Sequence, residues 1–201
     1  GDWRTVGVRI TQPRGAHDVL VASVGEPSGR QVGERVARAL ALDVDAAALF
    51  DVAERDHVVA SLLDERPGFR PVGSWSPYQI AVWSVLAQRT SMANATSAAA
   101  WLASELGEQV EVDGVVLSSL PSHEVLATLD EVPGIPEMKV PRLVGIARAA
   151  LDGVLDGARL RALDPDDARD ELLAVTGLGP YSADLVLQRG AQHPDVFARH
   201  E

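Results

Sequence analysis

The chain has 201 residues, 46% of them hydrophobic and 23% charged, a make-up that suits a globular protein of one large domain or two small ones. Its longest apolar runs are far too short to span a bilayer and follow no basic start, which argues against a membrane protein or an unprocessed secretory precursor. With no cysteine, disulfides, thiolate metal sites, iron–sulfur clusters and a cysteine nucleophile are excluded within this chain, and a reducing cytoplasm is the expected compartment.

Acidic residues outnumber Lys plus Arg by 29 to 18, a formal net charge of −11. Taken alone, that balance points away from a polyanionic partner. All but one of the cations are arginine, however, and arginine grips phosphate through planar, bidentate contacts; Lys139 is the only lysine. The sequence starts without Met and stops after Arg199-His200-Glu201, which reads as a fragment of a longer protein.

Residues 5–11 alternate apolar and polar as a half-buried strand does. Pro13-Arg14-Gly15 is a turn, and Val19-Leu20-Val21-Ala22 is the second strand of a hairpin. Ser28 is placed to cap a helix with Val32, Val36, Ala39 and Leu40 on one face. Helical stretches near 45–53 and 55–64 then lead to Pro67-Gly68-Phe69-Arg70, the best domain boundary in the chain.

Beyond it, Ser76-Pro77 opens a helix that is apolar nearly all round, through Ile80, Trp83 and Leu86, and so belongs at the centre of the fold. Ser91 caps the next helix, whose stripe is Met92, Ala95, Ala99, Leu102, Ala103 and Leu106, with Gly107 as its stop. A turn-rich connection leads to a short helix over 122–130. Another helix follows over 139–152, ended by Gly153, and Asp164-Pro165-Asp166-Asp167 starts an acidic one. The expected architecture is mainly α, with a small amino-terminal α+β domain over 1–66 and a helical domain over 67–201.

The informative run is Leu172 to Asp184, where Val175-Thr176-Gly177-Leu178-Gly179-Pro180 joins two helices in a very tight hairpin. Both glycines read as positions where only glycine fits, and Leu178 as a plug between the helices. Bare N–H groups at Gly177, Gly179 and Ser182, with Pro180 opening the second helix, make an anion site that needs no basic side chain. An acidic protein can hold a DNA phosphate in this way.

The run resembles the helix-hairpin-helix, here near 166–190, of the DNA glycosylase superfamily. Residues 67–201 are similar in order and spacing to bacterial DNA-3-methyladenine glycosylase II. The landmarks are Pro67-Gly68-Phe69-Arg70, Gln88-Arg89-Thr90-Ser91, the Lys139-to-Gly153 helix, the hairpin, and Arg189-Gly190 followed by Asp195-Val196-Phe197. Residues 1–66 resemble the family's amino-terminal domain more weakly. The resemblance implies an aspartate after the hairpin that stabilises positive charge on the deoxyribose as the N-glycosidic bond breaks. Counted from Asp195-Val196-Phe197, that position holds Glu201, which keeps the charge on a side chain one methylene longer.

Where lyase-active relatives carry a Schiff-base lysine stands Tyr181, so the resemblance is to the monofunctional, hydrolytic branch. It also implies a base pocket at Tyr181 and Leu185, and a duplex wedge at Gln88 and Arg89. A structural potassium or sodium ion on the hairpin carbonyls is implied too, with no metal or cofactor in the chemistry. Read without the resemblance, Tyr181 is equally an aromatic packed at a helix start and Arg89 a surface arginine at a helix end.

The expected function is hydrolysis of alkylated purines from double-stranded DNA by a monomeric, nucleoid-associated protein. A damage-binding module of weak catalysis is the alternative, and a helical protein-interaction domain comes third. The five histidines have no zinc-ligand spacing and read as surface or loop residues, and Gly25-Glu26-Pro27-Ser28-Gly29 lacks the lysine of a phosphate loop.

Overall fold

A computed structural model describes residues 4–25, 29–193 and 196–198. Ser28, Asp195, His200 and Glu201 lie outside the described residues. Strands β1 (Gly7–Thr11) and β2 (Leu20–Val24) pair antiparallel with Gly7 opposite Val24 and Ile10 opposite Val21. Helix α1 (Gly29–Ala39) buries Val32, Val36 and Ala39, the face its spacing predicts. Helices α2 (Ala47–Ala53) and α3 (His57–Glu65) follow, the second started by Asp56, which accepts from the N–H groups of Val58 and Val59.

Helix α4 (Pro77–Ala87) is the hub. Ser76 Oγ accepts from Gln79 N–H, Pro77 occupies the first turn, and Tyr78, Ala81, Val82, Val85 and Leu86 are all 1% exposed or less. α5 (Met92–Trp101) packs on it, capped by Ser91 as its sequence implies, and runs on as a widened π turn over 102–106. Met92, placed on the inner stripe by its spacing, is 65% exposed instead, because it sits at the first helical position, outside the packed turns.

The stretch after Gly107 is not merely turns. Strands β3 (Gln109–Val112) and β4 (Val115–Ser118) form an antiparallel hairpin. Asp113 and Gly114 at its tip both take positive φ, +52° and +80°, the backbone of a type I′ turn. Gly107 does end the preceding helix, but at φ −85°, not as a left-handed cap. A side chain there would stand 1.9 Å from the Ser119 carbonyl oxygen, so glycine permits the hairpin to close against the helix.

This hairpin carries the front of the chain. A Cβ on buried Gly7 would meet Val112 at 2.4 Å, Thr5 and Ser119 hydroxyls lie 2.9 Å apart, and Arg9 pairs with Asp113 at 3.1 Å. The 67–70 segment is tied back as well: Arg70 Nη1 donates to the carbonyls of Ala41 and Val44 at 2.6 and 2.8 Å.

α6 (His123–Ala127), capped by Ser122, is shorter than its expected range and packs along α7 (Val140–Leu151). His123 is buried rather than a surface histidine, its ring edge-on to Tyr78 with centroids 4.5 Å apart. His193 is buried too. Burial holds the His123 imidazole below its ordinary pKa, opposed by the neighbouring Glu124 carboxylate. Burial also raises the Tyr78 phenol, whose O–H donates to the Pro121 carbonyl at 3.0 Å. α8 (Gly157–Ala162), α9 (Pro165–Leu173) and α10 (Pro180–Leu185) complete the helices, and α10 continues as a π turn over 186–191. No described helix is long and apolar enough to cross a membrane.

Candidate nucleic-acid interface

α9 and α10 are joined by residues 174–179, and Leu178 is buried at the core's edge as its place between two glycines predicts. The glycines differ. Gly177 has φ +102°, and a Cβ there would stand 2.8 Å from Arg142 Cβ and 3.3 Å from Val85 Cγ2, so both conformation and space demand glycine. Gly179 has φ −105° with nothing within 4 Å of an added Cβ. Its glycine is not required by the fold, which corrects the expectation for the pair. What the missing side chain leaves is open access to the backbone at the start of α10.

Among the described residues, no protein acceptor takes the N–H groups of Gly177, Gly179 or Ser182, whereas Ala183 N–H donates to the Gly179 carbonyl at 2.8 Å. Unpaired N–H groups at a helix start attract anions. The two helices are pinned by a buried ion pair absent from the sequence-based reading. Asp184, fully buried, accepts from Arg169 Nε at 2.7 Å and from Arg169 Nη2.

The turn between α4 and α5 lies against this hairpin. Gln88 Nε2 donates to the Gly177 carbonyl at 2.8 Å, and Gln88 Oε1 accepts from Arg142 Nη1 of α7 at 2.7 Å. Gln88 is therefore occupied inside the protein at both ends of its amide, which revises the expectation that it wedges into a duplex. Arg89, the next residue, is exposed and left-handed at φ +50°, a conformation that costs a non-glycine residue about 1–3 kcal/mol. It stands in solvent at the turn that follows α4.

Lys139 is 4% exposed and holds the same turn from the other side. Its ammonium donates to the Leu86 carbonyl and to Thr90 Oγ1, each at 2.6 Å, and Thr90 Oγ1 donates to the Gln88 carbonyl at 3.0 Å. Burial, and secondly Arg142, lower its pKa.

Tyr181 is 39% exposed at the start of α10, and Leu185, one turn on, is half-buried. Neither lines either of two cavities, of about 160 and 590 Å³, among the described residues. The larger lies between β1, α1, Trp75 and α5. Among the described residues, no cluster of His, Asp or Glu could hold a metal ion. Val196 packs against the core at the start of the segment leading to Glu201.

No family model matches the chain. It is 26% identical over 160 residues to a DNA-3-methyladenine glycosylase of Bacillus subtilis, covering 78% of this chain and 53% of that protein. It is 29% identical over 157 residues to DNA-3-methyladenine glycosylase 2 of Escherichia coli, covering 74% and 55%. The chain thus spans about half the length of these relatives. A solved 3-methyladenine DNA-glycosylase from Archaeoglobus fulgidus shares its fold with a TM-score of 0.74 at 21% identity, covering 96% of this chain and 66% of that one.

Proposed function

We propose, from the premise that the chain belongs to the helix-hairpin-helix DNA glycosylase superfamily, that it binds double-stranded DNA and hydrolyses alkylated purines from it. The observation that carries the reading is the bridge from Gln88 to Gly177 and Arg142. It locks the anion-attracting hairpin and the protruding Arg89 turn at one fixed separation, as a protein that grips a backbone while entering the duplex requires.

In this reading a phosphate sits on the N–H groups of Gly177, Gly179 and Ser182, blind to sequence. Arg89 fills the gap that base extrusion leaves, offsetting part of a cost of a few kcal/mol. Tyr181 stacks on the extruded, electron-poor base with Leu185 beside it. The glycosidic electron pair departs with the base, positive charge grows on the deoxyribose, and the Glu201 carboxylate stabilises it until water adds to the anomeric carbon and gives up its proton to solvent. Tyr181 offers no amine, and Lys139 is bound to Leu86 and Thr90, so the product is an unbroken strand with an abasic site.

The hairpin carbonyls suit a structural potassium or sodium ion. Those of Val175, Gly177 and Gly179 each accept one hydrogen bond, from Leu178, Gln88 and Ala183, and keep a second lone pair. Such an ion would brace the turn and take no part in the chemistry. A monomer working on the nucleoid, divided at residues 66/67 into a front domain and a helical domain, completes the proposal.

The test is Glu201→Gln assayed on duplexes carrying 3-methyladenine or ethenoadenine. Base release should fall by about a hundredfold or more while duplex affinity stays nearly intact, since only the developing cation needs the charge. Wild-type strands should break only after alkali. Release that survives Glu201→Gln overturns the assignment of Glu201, and a wild type that binds lesions without releasing any base is a damage-binding module instead.

A further inference from the structure

We infer that Lys139 is a positioning residue for base extrusion, acting through the Arg89 turn. A lysine ammonium strongly prefers water, and taking it out of solvent is costly unless its donors are engaged. This chain uses arginine at every other cationic position, yet places its one lysine where only 4% of it is exposed. The atoms it engages are specific. The Leu86 carbonyl is among the last four of α4, which have no partner within the helix, and Thr90 Oγ1 lies on the far side of Arg89. The ammonium thus spans Leu86 to Thr90, a segment in which Arg89 is held at φ +50°.

A compact point charge with three rotatable donors can satisfy two such acceptors, where the planar fork of arginine is a poorer fit. It also places positive charge at the carboxyl end of the α4 dipole. Gln88 fixes the same turn to the hairpin, so Arg89 is the one side chain of the Gln88-Arg89-Thr90 turn that is exposed. With both anchors in place Arg89 is presented in one geometry. With Lys139 removed, the strained conformation at Arg89 loses the bonds that offset it.

The proposal rests on the wedge role of Arg89, and the experiment separates the two. In the full chain, Lys139→Met, Thr90→Val, Arg89→Ala and the Lys139→Met/Arg89→Ala double variant are compared on a duplex carrying ethenoadenine. An adjacent aminopurine reports unstacking by its fluorescence. Lys139→Met should lower extrusion and single-turnover base release by about tenfold or more, leaving affinity for undamaged duplex within about twofold, because the hairpin contact survives. Thr90→Val, which removes one acceptor, should shift both readouts the same way by less. The double variant should be no worse than Arg89→Ala alone, since both changes act on one element.

Normal extrusion in folded Lys139→Met, or losses that add in the double variant, overturns the positioning role. Should Lys139→Met fail to fold, normal extrusion in Thr90→Val overturns it. An Arg89→Ala variant that extrudes normally overturns the wedge reading and the positioning role with it, while Lys139→Met alone being silent overturns only the latter.

Discussion

Gly177 and Gly179 look interchangeable in Thr176-Gly177-Leu178-Gly179-Pro180, yet the structure gives them different work. At Gly177 a methyl group would collide with Arg142 and sit on a backbone that L-residues avoid, so Gly177→Ala should cost about 1–3 kcal/mol of stability. At Gly179 a side chain meets nothing within 4 Å and the backbone is extended, so Gly179→Leu should leave the melting temperature unchanged. It should nonetheless weaken affinity for damaged and undamaged duplex alike, because the new side chain stands where a phosphate would approach. Titration of labelled duplex against both variants, with thermal melts alongside, checks the pair. A folded Gly179→Leu protein with unchanged affinity would mean that the hairpin does not hold a phosphate.

At the scale of elements, what could be read from the sequence was whatever local chemistry decides. Ser76-Pro77, Ser91, Ser122 and Asp164 all start the helices they were expected to start, since a cap and the N–H it serves lie within three residues of each other. The β3–β4 hairpin is equally legible, from Asp113-Gly114 between the alternating Gln109-Val110-Glu111-Val112 and the apolar Val115-Val116-Leu117. The anchors of the candidate site were not legible. Lys139 meets a carbonyl 53 positions away, Gln88 one 89 away, and no periodicity announces such partners. Arg169 and Asp184 are 15 apart on successive helices and meet only once the hairpin folds. Because Asp184 is fully buried, removing its charge leaves the Arg169 guanidinium poorly paired at the helix interface. Asp184→Asn should therefore destabilise the protein by about 3–5 kcal/mol, and raise hydrogen exchange in α9 and α10 above that in α4. A loss of stability within experimental error of zero would show that the pair is dispensable for joining the two helices.

On the scale of the whole molecule, the central helix α4 packs against α5, α7, α10 and the π turn after it, and a contact it makes with α6 gives the fold a response to pH. Tyr78 of α4 and His123 of α6 meet edge to face, and the phenol closes the contact by donating to Pro121. Burial lowers the His123 pKa, so the unfolded chain takes up a proton on this ring more readily than the native one does. Stability then rises with pH wherever the unfolded state binds more protons. The contribution of His123 is fully present above the ordinary imidazole value near about 6.5, and it drains away as pH falls from there toward the lowered native value. The carboxylates of Glu124 and Glu171, both lowered from a value of 4.5, titrate further down and do not obscure this window. Thermal melts between neutral pH and about 5.5 should show the wild type losing stability as the pH drops. His123→Phe keeps an aromatic ring against Tyr78 but has no proton to gain, so its melting temperature should fall less over the same interval. Parallel slopes for the two proteins would place the acid sensitivity elsewhere and leave the α4–α6 contact as packing alone.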